Sequence, residues 1–310
     1  MSQRLFGRAW KFQVDDLDLS SLDIEFKILR SIKNVPNKCE MTIWNLSPGH
    51  RAQFLKRNRP DANPKHLFGI PVQIQAGYQD QLSVLFSGDL RELASMRDGT
   101  DWKTVLSGED GGRAFREGRV NRTFAKGTPV SAVLVACAES MGLGFGNTAD
   151  FEAGAQIEHV GTKLPHAMTL SGSASHALTR ITHSIGLTWS VQAGALQLMR
   201  KGQPLRLPAI RLGPDTGLLD SPEAAIDASV SLGNVQQFAP GGKPKTVKHK
   251  PKDTGILKVR SLLIPGLVPG RQVFLDSEAF RGHYVICEVE YTGQTWSTAW
   301  QADMVLRLFS

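Results

Sequence analysis

The stretch Thr169–Met199 constrains the fold most strongly, because a helix, its end and a β-hairpin follow one another there. Ser171 and Ser173 can cap the start of a helix, where backbone N–H groups lack partners. Apolar residues then recur at a spacing that places them on one helix face: Ala174, Ala177, Leu178, Ile181 and Ile185. Gly186 suits the end of the helix, residues 187–192 alternate as in a strand, and Ala193-Gly194 predicts a turn into a second strand that ends at Met199.

A second helix of the same kind precedes it, with 44 residues between the two terminal glycines. Thr128 can cap this helix, and Pro129 suits its first position because an N–H is not needed there. The apolar stripe has the same spacing, formed by Val130, Val133, Leu134, Cys137 and Met141, and Gly142-Leu143 corresponds to Gly186-Leu187. The pattern predicts a duplicated helix–Gly–Leu unit; the alternative is a coincidental likeness between two amphipathic helices.

Runs typical of strands lie on both sides of this helical region, and several of them show the alternation of apolar and polar residues that gives a strand one buried face. Examples are 24–28, 39–43, 82–86 and 88–98 on one side, and 256–263, 282–291 and 300–308 on the other. A short helix is predicted at 50–59 and a loop at 147–166. We therefore predict a mainly β chain with an α+β insertion, divided into a β-rich domain at 1–110, an α+β middle domain at 111–205 and a second β-rich domain at 206–310.

Composition limits the classes of protein to which this chain can belong. The chain has 41% hydrophobic residues and no apolar run long enough to span a membrane. The N-terminus lacks the apolar core of a secretory signal, so we expect assembly in the cytoplasm. Cys39, Cys137 and Cys287 are far apart and odd in number, which favours buried free thiols.

The net charge of +7 makes binding to an acidic partner or to DNA worth considering. Much of the excess lies in one Pro- and Gly-flanked segment that contains Lys243, Lys245, Lys248, Lys250 and Lys252. A solvated loop is one interpretation, and contact with an acidic protein surface or with passing DNA is the other. No aromatic residues interleave with the lysines, so a platform for stacking bases is not supported. These five lysines are the only partner-binding residues that the sequence predicts.

No catalytic, cofactor-binding or metal-binding signature is found. Gly142–Gly146 resembles a dinucleotide loop, but it follows a helix, whereas that motif must follow a strand and open a helix. Asp15, Asp16 and Asp18 could bind a hard cation, although a solvated turn is the simpler interpretation. His176 and His183 are interpreted as helix-surface residues, and Glu109 lacks a second carboxylate in the sequence pattern that would make an acid–base pair.

Several stretches, taken in order, resemble the baseplate hub proteins of contractile-tailed bacteriophages, which are relatives of the hub part of type VI secretion spike proteins. The stretches that carry the resemblance are Cys39–Ser47, Val120–Val130, Leu187–Val191, Thr216–Glu223, Leu262–Arg271 and Gly282–Ile286, with Trp296 and Trp300 after the last. One departure is that the aspartate of a Gly-Asp-Thr common in relatives is absent from Tyr291–Thr295.

The resemblance implies two tail-tube-like β-barrels plus a middle region with two helix–strand units, in a virion protein without cofactors. It further implies a homotrimer that joins a sixfold tail tube to a threefold central spike, with baseplate wedge proteins around it. The tape-measure protein and then DNA would pass through the lumen without specific binding, so we expect the 243–252 lysines to face another baseplate protein. The alternatives are a tail-associated cell-wall hydrolase and a basic DNA-binding protein.

Overall fold

The computed structural model describes residues 5–57, 69–79, 81–146, 163–200, 203–224, 236–237, 245–246 and 255–309. The four helices described are α1 (Pro48–Arg57), α2 (Gly112–Glu117), α3 (Val130–Ser140) and α4 (Ala174–Ser184). The strands are β1 (Arg8–Val14), β2 (Leu17–Asp18), β3 (Ile24–Ser31), β4 (Asn37–Trp44), β5 (Pro71–Tyr78), β6 (Gln81–Asp98), β7 (Asp101–Asp110), β8 (Arg119–Phe124), β9 (Gly144–Phe145), β10 (Met168–Ser173), β11 (Leu187–Gln192), β12 (Ala195–Arg200), β13 (Ile210–Leu212), β14 (Glu223–Ala224), β15 (Gln236–Gln237), β16 (Lys245–Thr246), β17 (Ile256–Leu262), β18 (Gln272–Asp276), β19 (Arg281–Gln294) and β20 (Trp300–Leu308).

One large sheet contains strands from both ends of the chain. Its strand order is β14-β17-β20-β19-β3-β4-β7-β6-β5-β1-β2, and β13 and β18 extend it beside β19. The two ends of the chain meet where β3 pairs antiparallel with β19, from Glu25 opposite Gln294 to Ser31 opposite Glu288. We call this pairing the seam.

The hydrophobic residues form two separate clusters. The larger one lies against the large sheet and draws on both ends of the chain, because alternate residues such as Ile24, Phe26 and Ile28 are fully buried. The smaller cluster belongs to the middle of the chain, where Leu134, Leu178 and other helix residues pack against the neighbouring strands.

The middle of the chain contains both helices that the sequence predicts. Ser173 caps α4, and its hydroxyl accepts a hydrogen bond from the backbone N–H of His176. The predicted cap of α3 was wrong by one residue: Pro129 occupies the N-cap position, and the Thr128 hydroxyl instead donates to the carbonyl of Ala125 at 2.8 Å. A strand precedes each helix, β8 and β10, and these two strands pair antiparallel.

A glycine with a left-handed backbone follows each helix closely, with φ of 68° at Gly142 and 71° at Gly186. Strands β9 and β11 come next, and both belong to a three-stranded sheet with β12. The hairpin predicted at 187–199 is present as β11 and β12. Duplication as the origin of the two units stays a prediction.

The mainly β prediction is confirmed, whereas the implied pair of closed barrels is not found. The strand path of the large sheet ends at β14 and β2 without closing within the described residues. The two strands predicted at 82–86 and 88–98 are one continuous strand, β6, with a bulge beside Leu90 that lets it change partner from β5 to β7. The domain division at 110 and 205 stays a prediction, and most of the predicted 147–166 loop lies outside the described residues.

Two smaller predictions concerned the three cysteines and the lack of a membrane-spanning segment. Cys39 and Cys137 are buried free thiols, whereas Cys287 is only half-buried. Burial raises the pKa of Cys137 to about 11 and also raises that of Cys287. No helix in the described part of the chain is long and apolar enough to cross a membrane.

Candidate assembly surfaces

One face of the large sheet carries rows of alternating charge. The strand register places Arg260, Asp303 and Glu290 side by side on β17, β20 and β19. The Arg260 guanidinium donates to Asp303 at 2.6 Å and to Asp220 at 3.2 Å. The hydrogen bond to Asp303 is the main cause of the raised pKa of Arg260. This part of the face is a shallow cleft of about 420 Å³.

The charged rows continue across the seam. Lys27 of β3 forms an ion pair with Glu290 of β19 at 3.0 Å and lies opposite Glu40 of β4. The hydrogen bond to Glu290 raises the pKa of Lys27. Six acidic and five basic side chains share this face on β14, β17, β20, β19, β3 and β4: Glu25, Glu40, Glu223, Glu288, Glu290 and Asp303 with Lys27, Lys38, Lys258, Arg260 and Arg307. We call it the charged face; it has no excess of positive charge although the chain is basic.

A buried polar network joins the middle of the chain to the large sheet. The carboxylate of Asp110, at the end of β7, accepts hydrogen bonds from the N–H groups of Ala193 at 2.7 Å and Gly194 at 2.8 Å. Asn37 of β4 donates to the same carboxylate at 3.3 Å and to the carbonyl of Val191 at 2.8 Å. Burial raises the pKa of Asp110, and the N–H donors oppose that shift.

Gln192 completes this network from the hairpin side. Its amide N–H donates to the carbonyl of Ser31 at 2.8 Å, and its amide oxygen accepts from the Arg30 guanidinium at 3.0 and 3.1 Å. Arg30, Asn37 and Asp110 are each at most 5% exposed. We call the network of Arg30, Asn37, Asp110 and Gln192 the latch. Sequence reasoning missed the latch, because its members come from distant parts of the chain; Arg30 and Gln192, for example, are 162 residues apart.

A cleft of about 670 Å³ lies between the large sheet and the middle of the chain. Small residues form much of its wall, including Gly88, Gly118 and Gly142. Asp89 faces it, and burial raises the pKa of this carboxyl group. The latch carboxylate of Asp110 also lies at its edge but is already occupied by the hairpin.

The five lysines predicted to bind a partner lie outside the described side chains. The backbone of Lys245 belongs to β16, where it pairs with Gln237 of β15. The structure therefore does not bring Lys243, Lys248, Lys250 or Lys252 into any described site.

The residues considered for chemistry are separate from one another. Glu109 pairs with Arg116, an arrangement that occupies its carboxylate. Asp18 accepts hydrogen bonds from the hydroxyl and N–H of Ser20, which lower its pKa. Asp15 has φ of 54°, as in a tight turn between β1 and β2. Within the described ranges, no group of three or more His, Cys, Asp or Glu could hold a metal ion.

The remaining candidates have structural positions. His176 and His183 are exposed on α4, and the sequence had predicted a helix-surface position for both. Gly144 and Phe145 form β9, which follows α3 and pairs in parallel with β12, so this segment does not have the strand–loop–helix context of a dinucleotide loop.

Solved structures define the fold class as that of phage tail proteins and type VI secretion components. The 43 kDa tail protein of prophage MuSo2 from Shewanella oneidensis matches 97% of this chain and 98% of its own, with a TM-score of 0.62 and 10% identity. A tail protein from Neisseria meningitidis MC58 matches 97% and 96%, with 0.58 and 13%. The E. coli c3393 protein, a type VI secretion component similar to T4 tail proteins gp27 and gp5, matches 97% and 77%, with 0.55 and 10%.

The family follows from the sequence. The family model for baseplate hub gp41 matches residues 11–210, which is more than half of the chain. A search of curated protein sequences gives no match. The chain belongs to the baseplate hub gp41 family, and it is therefore a structural component of a phage tail baseplate.

Proposed function

We propose that three copies of this chain form a ring at the tip of a contractile tail, where they join the sixfold tail tube to a threefold central spike. The observation that carries the proposal is the seam between β3 and β19, which joins the strands of the two β-rich ends of the chain into one continuous sheet. Two β-rich halves in each of three copies give six similar units, which matches a sixfold tube above and a threefold spike below.

The charged face supports a position beside the axial channel. Its six acidic and five basic side chains largely neutralise one another through ion pairs such as Lys27–Glu290 and Arg260–Asp303. DNA binds tightly to surfaces with excess positive charge, because each phosphate contact releases counterions. A balanced face would let the tape-measure protein and then DNA pass without being held.

The partners follow from this position: the tail tube, the central spike and baseplate wedge proteins around the ring. The 243–252 lysines, including Lys243, Lys245, Lys248, Lys250 and Lys252, would face one of these neighbours rather than the channel. The division into domains at 1–110, 111–205 and 206–310 is part of the same proposal, as is assembly in the host cytoplasm.

Electron microscopy of the assembled particle tests the position and the copy number. We expect three copies around the tail axis, at the junction of tube and spike, with the charged face toward the channel. Sedimentation of the purified chain gives the mass independently, with one copy at 33.9 kDa and a trimer at about three times that value. Density for this chain at the periphery of the baseplate, or six or more copies in the particle, would contradict the proposal.

A second test inverts the charged face. Glu290→Lys with Asp303→Lys should convert it to a cationic surface that holds phosphates and slows DNA release from triggered particles. Asp16→Lys with Asp215→Lys is the matched control, because it adds the same charge at two exposed positions outside this face. Equal release rates for the two variants would show that this face does not meet DNA.

We propose that the protein has no catalytic role. The relatives found are structural tail proteins, and Glu109 is engaged with Arg116. Zymography with cell-wall material should show no clearing by the purified chain; a clear zone that persists in a highly purified sample would favour the hydrolase alternative.

A further inference from the structure

Among the residues that the structure describes, the excess of basic over acidic side chains lies in the middle of the chain. Residues 111–146 and 163–200 contain eight arginines and lysines but only two glutamates. Residues 5–57, 69–79, 81–110, 203–224 and 255–309, by contrast, contain 19 basic and 20 acidic residues. The described part of the middle region is therefore cationic beside an almost neutral large sheet.

Strands β8 and β10 form a two-stranded ribbon with one free face. Val120 and Leu170 on the inner side are buried in the smaller hydrophobic cluster. The outer face is polar and exposed, and the hydroxyls of Thr123 and Thr169 lie 3.0 Å apart across it. Neither strand has a second partner strand within the described residues. With respect to the described part of the chain, the outer edges of the ribbon present backbone groups that another strand could pair with.

Exposed cations follow this ribbon along its length. Arg119 and Arg122 lie on β8, Lys126 follows the strand, and Lys163 forms a bridge opposite Pro129. Among these four cations, Arg122 is the one that pairs with a carboxylate of the described residues, that of Glu139 at 3.6 Å. The Arg119 guanidinium donates to two backbone carbonyls, and because these acceptors are neutral they do not cancel its positive charge.

We propose that this ribbon is a docking site for an extended acidic segment of another protein. Such a segment would pair with an open strand edge through its backbone, and its carboxylates would lie beside Arg119, Lys126 and Lys163. The outer face presents hydroxyl and amide side chains and no aromatic ring, which favours a peptide over a single-stranded nucleic acid. The site is distinct from the charged face and does not depend on the number of copies in the ring.

The test uses the full chain and a labelled peptide of alternating glutamate and threonine, followed by fluorescence anisotropy. The ribbon variant is Arg119→Gln with Lys126→Gln and Lys163→Gln. The matched control is Lys11→Gln with Lys38→Gln and Lys258→Gln, which removes the same charge from exposed positions on the large sheet. We expect the ribbon variant to bind about tenfold or more weakly than wild type, and the control to stay close to wild type.

Hydrogen exchange locates the bound peptide. Binding should slow exchange of the amides in β8 or β10 and leave the amides of β20 unchanged. Equal losses in the two variants would mean diffuse charge attraction and would overturn the proposal, as would a wild-type chain that does not bind the peptide. Tighter binding of duplex DNA of equal charge, lost only in the ribbon variant, would identify a nucleic-acid site instead and would also overturn it.

Discussion

Removal of the Asp110 carboxylate is the most informative single perturbation of this fold. In Asp110→Ala, the N–H groups of Ala193 and Gly194 lose their acceptor, whereas Asn37 keeps its bond to the carbonyl of Val191. An unpaired N–H costs about 1–3 kcal/mol when it is buried. Ala193 and Gly194 are exposed turn residues, so water can replace part of the lost bonding, and we expect the free energy of unfolding to fall by about 2 kcal/mol. Asp110→Asn retains one acceptor oxygen and should lose less.

Urea denaturation measures this loss, and hydrogen exchange shows where it occurs. Asp110→Ala should speed exchange in β11 and β12, the hairpin that the latch holds, before it affects β19 and β20. Asp98→Ala is the control, because Asp98 is exposed at the other end of the same sheet. A loss below about 1 kcal/mol, or one equal to that of the control, would refute the idea that the latch joins the two parts of the molecule.

The pH dependence of stability independently tests whether the pKa of Asp110 is raised or lowered in the folded state. Burial raises the pKa of Asp110 above 3.8, so the folded state binds this proton more tightly than the unfolded state does. The contribution of Asp110 to stability is then fully present below the unfolded pKa and decreases as pH rises through the folded pKa. The difference between wild type and Asp110→Ala should therefore grow as the pH is lowered toward 4. A difference that shrinks would mean that hydrogen bonding to the charged form outweighs burial.

Three further predictions concern the large sheet. Gly293→Ala should cost about 3 kcal/mol or more, because the added methyl carbon would lie 2.4 Å from the Phe26 ring at the seam; Gly144→Ala, with no atom within 4 Å, is the control in urea denaturation. Burial raises the pKa of Tyr291 from 10.0 to about 12, so stability should fall by about 1.4 kcal/mol per pH unit across that window, and Tyr291→Phe should remove this slope in denaturation at alkaline pH. Cys287 should react with a thiol reagent in the native protein before the two buried cysteines do, and equal rates for all three would contradict the burial order.

The sequence predicts the local elements of this fold well, because their signals lie within a few residues. The helix stripe from Ala174 to Ile185 and the cap at Ser173 lead directly to α4. The turn at Ala193-Gly194 requires positive φ at both positions, and the structure has 53° and 77° there. The wrong prediction that Thr128 caps α3 also has a local cause. The Thr128 hydroxyl donates to the carbonyl of Ala125, and Pro129 occupies the N-cap position.

The candidate surfaces could be predicted only in part. The excess of lysines at 243–252 is visible in the sequence, yet it gives no position in space. The charged face and the latch arise from strand register, which no local pattern specifies. Asp110 illustrates this limit, because in the sequence it is one carboxylate before two glycines, and only the fold brings the hairpin N–H groups to it.

The seam explains why the global architecture is harder to predict than its parts. Strand β3 has one wet face and one apolar face, and that pattern would suit any neighbour in a sheet. Its partner β19 lies more than 250 residues away, and the choice between them depends on contacts such as Phe26 packing against Gly293 and the Trp300 ring. Because closing so long a loop must precede these contacts, the seam should form late in folding. The two β-rich ends therefore form one continuous sheet only when the chain contains both β3 and its distant partner β19.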